Sequence, residues 1–168
     1  QIVTNFHVIA NEPAPKVIFP DGSFVTVVSM VGDSMSDLAV LYIEEEYPDL
    51  VFKLPDKIHL REDEPVLATG YPMGTQLNGK ATTLKGSFID YRKSKHDKVG
   101  YIQTSISLVE GMSGGPLTDQ CGELVGMNTM GLAGLSLFIS AGDVKASIPY
   151  LYDWEVAKIA VDPSESPE

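Results

Sequence analysis

The chain is poor in cysteine, in histidine and in positive charge. Its 168 residues include one cysteine, Cys121, so no disulfide can form within the chain. That neither demands nor excludes an oxidising compartment. The histidines, His7, His59 and His96, are scattered, and neither a His-Glu-x-x-His nor a paired-cysteine spacing occurs. No metal and no cofactor is expected. Lys and Arg number 12 against 23 Asp and Glu, a formal charge of −11. Such a balance argues against nonspecific nucleic-acid binding, which depends on neutralising phosphates. The acidity reads as solubility, with a preference for basic substrates as the alternative. No apolar run reaches the ~18 residues of a membrane-spanning helix, no signal peptide is visible, and no short repeat period points to a solenoid. Gly70-Tyr71-Pro72-Met73-Gly74 lacks the Lys-Ser/Thr ending of a phosphate loop. The strand-like opening Ile2-Val3-Thr4, without an initiator Met, reads as an internal point of a longer protein.

Hydrophobic residues make up 43% of the chain, enough for a packed core. Strand-like runs dominate. The first half offers Ile2–Phe6, Val17–Phe19, Phe24–Val28 and Leu38–Ile43, with a hairpin turn at Pro20-Asp21-Gly22-Ser23. The second half offers Val66–Gly70, Thr82–Ile89, Tyr101–Thr104, Gly115–Thr118, Glu123–Asn128 and Leu135–Ser140. Between them, residues 44–64 are acidic, proline-bearing and without sustained periodicity. Strands at this spacing, separated by turn signals, suggest a barrel or sandwich. The expected divisions are 1–46, a connection over 47–64, a second barrel over 65–142, a short helical segment over 143–160, and a polar, proline-rich tail over 161–168. Trp154 reads as a packing residue.

The most informative run is Glu110-Gly111-Met112-Ser113-Gly114-Gly115-Pro116-Leu117. Gly111 lets the backbone bend tightly, and such a turn can aim the N–H groups of Gly111 and Ser113 at one point. That is how an oxyanion hole for acyl transfer is built. A serine hydroxyl is a weak nucleophile alone and needs a base and an orienting acid. His7 and Asp37 are the candidates, with Asp33 competing for the acid's role.

These residues resemble the trypsin-like serine peptidases, and their HtrA (Deg) branch most closely. Val3-Thr4-Asn5-Phe6-His7-Val8-Ile9 resembles the family's histidine motif, and Ser36-Asp37-Leu38-Ala39-Val40-Leu41 its aspartate motif. Gly70-Tyr71-Pro72-Met73-Gly74 with Thr83-Leu84-Lys85-Gly86-Ser87 resembles the opening of the second barrel. Tyr101–Thr104, Gly111–Leu117 and Gly122–Asn128 resemble the nucleophile region. The likeness covers roughly residues 1–145, in the family's order His, Asp, Ser.

The resemblance implies an all-β fold of two antiparallel six-stranded barrels, the first lacking its two N-terminal strands, and a short C-terminal helix. It implies Ser113 as nucleophile, His7 as general base, Asp37 as its orienting acid, and oxyanion donors from the backbone of Gly111 and Ser113. Ser107, Leu108 and Val109, with Ser136, Leu137 and Phe138, would line the specificity pocket. With no carboxylate at Ser107, a small aliphatic substrate residue fits better than Lys or Arg, unless Glu110 acts as the pocket acid. Met112 replaces the branch's usual asparagine and leaves the turn without that tether, which predicts a partly latent free enzyme. The activity implied is endopeptidase action on unfolded or damaged proteins. A weakly active or inactive binding scaffold and an esterase are the competing readings. Polypeptide substrates, a homotrimer, a downstream PDZ domain and an extracytoplasmic or organellar setting are further implications of the branch.

Overall fold

A computed structural model describes residues 1–74, 79–93, 95–130 and 135–159. It divides into two compact units. One comprises residues 1–46 with the chain from 148 onward, and the other residues 47–147.

In the first unit, β1 (Ile2–Asn5), β4 (Ser29–Asp33), β5 (Leu38–Tyr42) and the two-residue β12 (Tyr152–Asp153) form one antiparallel sheet in the order β1-β5-β4-β12. The run Leu-Ala-Val-Leu of β5 is apolar at every position because this strand is central, and all four residues are buried. A single helical turn, α1 (Phe6–Ile9), follows β1 and carries His7. A separate hairpin pairs β2 (Lys16–Ile18) with β3 (Phe24–Thr26). Its turn is the expected one. Asp21 Oδ1 accepts from the Ser23 N–H at 2.9 Å, and Gly22 sits at φ +84°.

The first unit's core is Phe6, Ile9, Ala39, Leu41, Trp154 and Ala157. Trp154 opens α3 (Trp154–Ile159), and its ring lies 5.0 Å from that of Phe6. The C-terminal segment therefore packs directly beneath the turn that bears His7. Gly32 makes room for both rings, since a Cβ there would stand 2.9 Å from Phe6 and 3.1 Å from Trp154.

The second unit is a closed antiparallel barrel in the order β10-β11-β8-β7-β6-β9. Its strands are β6 (Pro65–Gly70), β7 (Thr82–Arg92), β8 (Tyr101–Thr104), β9 (Pro116–Asp119), β10 (Leu124–Met130) and β11 (Ser136–Ser140). Alternation in β6 puts Val66, Ala68 and Gly70 inside, as expected of a barrel wall with one face inward. Val66 and Ala68 meet Phe88, Ile102, Leu117 and Phe138 in the core. A register shift between Phe88 and Asp90 bends the long strand β7. The helix α2 (Ala141–Ser147) closes the unit. Asp143 accepts the Gly100 N–H at 3.0 Å, and Lys145 meets Asp56 at 2.7 Å.

The strand-like runs of the second half all form strands. The first half differs in detail. Ser29–Asp33 is a strand that its own residues did not signal, and Phe6 leaves the strand to begin α1.

Candidate functional site

His7 and Asp37 come together at the end of β1. The His7 Nδ1–H donates to Asp37 Oδ2 at 2.7 Å, and the His7 backbone N–H donates to Asp37 Oδ1 at 2.9 Å. This arrangement fixes the tautomer: Nδ1 carries the proton and Nε2 keeps its lone pair. Hydrogen bonding to Asp37 and that residue's charge raise the imidazole pKa above its ordinary 6.5, and partial burial opposes them. The side chain is about half exposed, at 46%.

Asp37 is held in place against its own backbone preference. Its φ is +54°, in the left-handed region that costs a side-chain-bearing residue on the order of 1–3 kcal/mol. Its carbonyl accepts from the Phe6 N–H and from Asn5 Nδ2, each at 3.0 Å. With the two bonds from His7, these over-determine its position. Asn5 is fully buried and its Oδ1 has no partner among the described residues. Asp33, the competing acid, spends its Oδ1 on the Met35 N–H in the following turn.

Ser113 lies in a turn of the second unit, between β8 and β9. Gly111 has φ +92°, and a Cβ there would come within 2.5 Å of the Gly74 nitrogen and 2.6 Å of the Met73 nitrogen. Only glycine fits. The Glu110 carbonyl accepts the Met73 N–H at 2.7 Å. In a planar trans peptide the C=O and N–H point in opposite directions. The Gly111 N–H is thereby turned away from the Tyr71–Gly74 loop. Among the described residues neither the Gly111 nor the Ser113 N–H carries a hydrogen bond.

Met112 is fully buried, packed against Gly70, where a Cβ would stand 3.0 Å from its own. It anchors the turn by burial. The turn is also held by a polar side chain from β10. Asn128 Nδ2 donates to the Met112 carbonyl at 3.1 Å and to the Thr69 carbonyl at 2.9 Å. Asn5 and Asn128 are the residues that sequence reasoning missed. The available signal was a polar, poor strand former inside Val125-Gly126-Met127-Asn128-Thr129, a strand otherwise suited to the barrel wall.

The expected pocket residues fall on two neighbouring segments. Ser107 and Val109 are exposed and Leu108 is half-buried, its N–H donated to Ser136 Oγ at 2.7 Å. Leu137 is half-buried, and Phe138 is wholly buried in the barrel core. Glu110 is exposed. Among the described residues, no group of three or more His, Cys, Asp or Glu side chains converges as a metal site would. No described helix is long and apolar enough to cross a membrane.

Comparison with known proteins places these features in a lineage. A family model described as a trypsin-like peptidase domain matches residues 1–127. The serine protease Do-like HtrA of Bacillus subtilis is 35% identical over 154 residues, a stretch covering 86% of this chain and 34% of that protein. The mitochondrial serine protease HTRA2 of Bos taurus is 33% identical over 135 residues, 77% of this chain and 29% of that protein. The solved structure of the HtrA-type protease AlgW with a decapeptide superposes with a TM-score of 0.72 at 28% identity, covering 88% of this chain and 48% of that one. The chain spans about a third of the length of the curated relatives it matches.

Proposed function

Since this chain belongs to the trypsin-like peptidase family, with HtrA proteases among its relatives, we propose that it is the peptidase domain of an HtrA-like serine endopeptidase. Ser113 Oγ attacks the scissile carbonyl and passes its proton to His7 Nε2. The N–H groups of Gly111 and Ser113 stabilise the oxyanion that forms. His7 then returns the proton to the leaving amine, and the bond to that amine breaks. Water repeats the sequence on the acyl-enzyme and releases the acid. Asp37 holds the tautomer and stabilises the imidazolium.

The observation that carries this reading is the 2.7 Å bond from His7 Nδ1 to Asp37, which leaves Nε2 as the free base. The two uncommitted N–H groups around Ser113 support it. Substrates are unfolded or damaged polypeptides with a small aliphatic residue before the scissile bond. The support is chemical: Ser107 carries no charge, and Leu108 and Leu137 offer apolar surface. Assembly as a trimer and a following PDZ domain belong to the same reading by kinship alone.

Labelling with a fluorophosphonate tests it. Wild type should incorporate the probe at Ser113, and Ser113→Ala should not. An unlabelled wild type favours the inert-scaffold reading instead.

A further inference from the structure

We propose that Asn128 is a positioning residue for the oxyanion hole, acting through the Met112 carbonyl on the N–H of Ser113. The inference rests on the peptidase reading above. The Met112 C=O and the Ser113 N–H belong to one peptide group and point in opposite directions. Whatever fixes the carbonyl therefore fixes the donor. Asn128 Nδ2 holds that carbonyl at 3.1 Å, and the Gly115 N–H shares it at 3.2 Å. The same Nδ2 is braced by the Thr69 carbonyl at 2.9 Å, on strand β6, which lies beyond β9 from β10. The Asn128 backbone grips the turn too. Its N–H donates to the Gly115 carbonyl at 2.8 Å, and its carbonyl accepts the Gly114 N–H at 2.9 Å.

The arrangement carries a cost, and the cost points to its purpose. Asn128 is 0% exposed and its Oδ1 has no partner among the described residues. Rotating the amide would set Oδ1 against two carbonyl oxygens, so the orientation is fixed by chemistry. A buried polar atom left unpaired lowers stability, and an apolar residue of the same shape would avoid that penalty only by taking a donor from the Met112 and Thr69 carbonyls. What only asparagine supplies here is the pair of N–H donors. Gly115 adds a second sign of a site built around this side chain. A Cβ on it would overlap the Thr69 carbonyl oxygen and lie 2.9 Å from Asn128 Nδ2.

Asn128 is sealed from solvent and offers a substrate nothing to touch. Its loss should act on the transition state and spare ground-state binding. The test compares wild type, Ser113→Ala, Asn128→Leu and Asn128→Asp, each normalised to its fluorophosphonate-titrated sites where it has any. Leu keeps the size and removes both donors and the orphan oxygen, and Asp keeps the shape and removes the donors. For Asn128→Leu we expect kcat on a fluorogenic peptide to fall about 10- to 1000-fold, the upper end being the usual loss of one oxyanion donor. KM should stay within about threefold. Affinity for a peptide boronate, which places its own oxygen in the hole, should weaken by the same factor as kcat. Thermal stability should fall modestly, because Leu removes the orphan oxygen but also takes the Nδ2 donor from the Thr69 and Met112 carbonyls. Unchanged kcat per titrated site, or equal losses in boronate affinity and substrate binding, would overturn the proposal. If neither variant folds, exchange of the Asn128 carboxamide protons in ¹⁵N-labelled wild type decides. Protection like that of barrel amides supports the lock, and solvent-like exchange overturns it. Failure of wild type to label, or full activity in Ser113→Ala, would sink the peptidase reading and this inference together. A labelled wild type with an unaffected Asn128→Leu would sink this inference alone.

Discussion

At the residue scale, the His7–Asp37 pair makes a prediction about pH. In the proposed mechanism His7 must be neutral to accept a proton, and its pKa is raised by Asp37. The acid limb of kcat/KM in the free enzyme should therefore have its midpoint above ~6.5, the unperturbed histidine value. Asp37→Asn should lower that midpoint and cost about 10⁴ in kcat by losing the tautomer. A wild-type midpoint at or below the ordinary histidine value would refute the coupling. The stability linkage has the opposite sign. With the folded pKa raised, the pair's contribution is full below the unfolded value and fades as pH rises through the folded one.

Gly111 allows an equally sharp test. Alanine there needs φ +92° and must displace the backbone nitrogens of Met73 and Gly74. The Glu110–Gly111 peptide has to move, and its N–H is lost to the site. Gly111→Ala should lower kcat by about 10²–10³ with the barrel still folded. Near-normal turnover would mean that this N–H is not a donor. His7, Asp37, Gly111 and Ser113 are proposed for the site because motif and chain order name them, and the structure sets His7 against Asp37. Asn5 and Asn128 were not legible in the sequence, because their partners are backbone carbonyls, and a carbonyl leaves no trace in residue identity.

At the scale of elements, one packed piece lies behind each of the proposed catalytic residues His7 and Ser113. Trp154 in α3 lies against Phe6, the neighbour of His7. Trp154→Ala should cost about 3–5 kcal/mol, the usual range for emptying an aromatic core site. Melting followed by near-UV circular dichroism should show a Tm lower by on the order of 10 °C. A shift within error would mean that the C-terminal segment does not brace the His7 turn. Met112 plays the matching part under Ser113. It is fully buried, and its carbonyl accepts from Asn128 Nδ2.

The elements that sequence reading found were those with uninterrupted apolar or alternating runs, such as Leu38–Tyr42 and Pro65–Gly70. Ser29–Asp33 escaped it because Ser29, Gly32 and Asp33 are weak strand formers. The strand exists through its register with β5, where Val31 faces Val40 and Gly32 faces Ala39. Tyr152–Asp153 is too short for any periodicity to register.

For the molecule as a whole, the excess of 23 acidic over 12 basic residues leaves open whether basic substrates are favoured. An uncharged Ser107 beside Leu108 and Leu137, in the proposed pocket, disfavours them. Cleavage-site profiling on a denatured protein should find Val, Ala, Ile or Leu before most scissile bonds. A majority of cuts after Lys or Arg would assign the missing pocket charge to Glu110.

The central claim is hydrolysis through Ser113, and the most direct measurement is the turnover of an unstructured protein by wild type and by Ser113→Ala at equal concentration. The alanine variant, folded to the same Tm, should lose about 10⁴–10⁶ in kcat, as members of a triad acting as a unit do. Hydrolysis by Ser113→Ala at a rate comparable to wild type would contradict it.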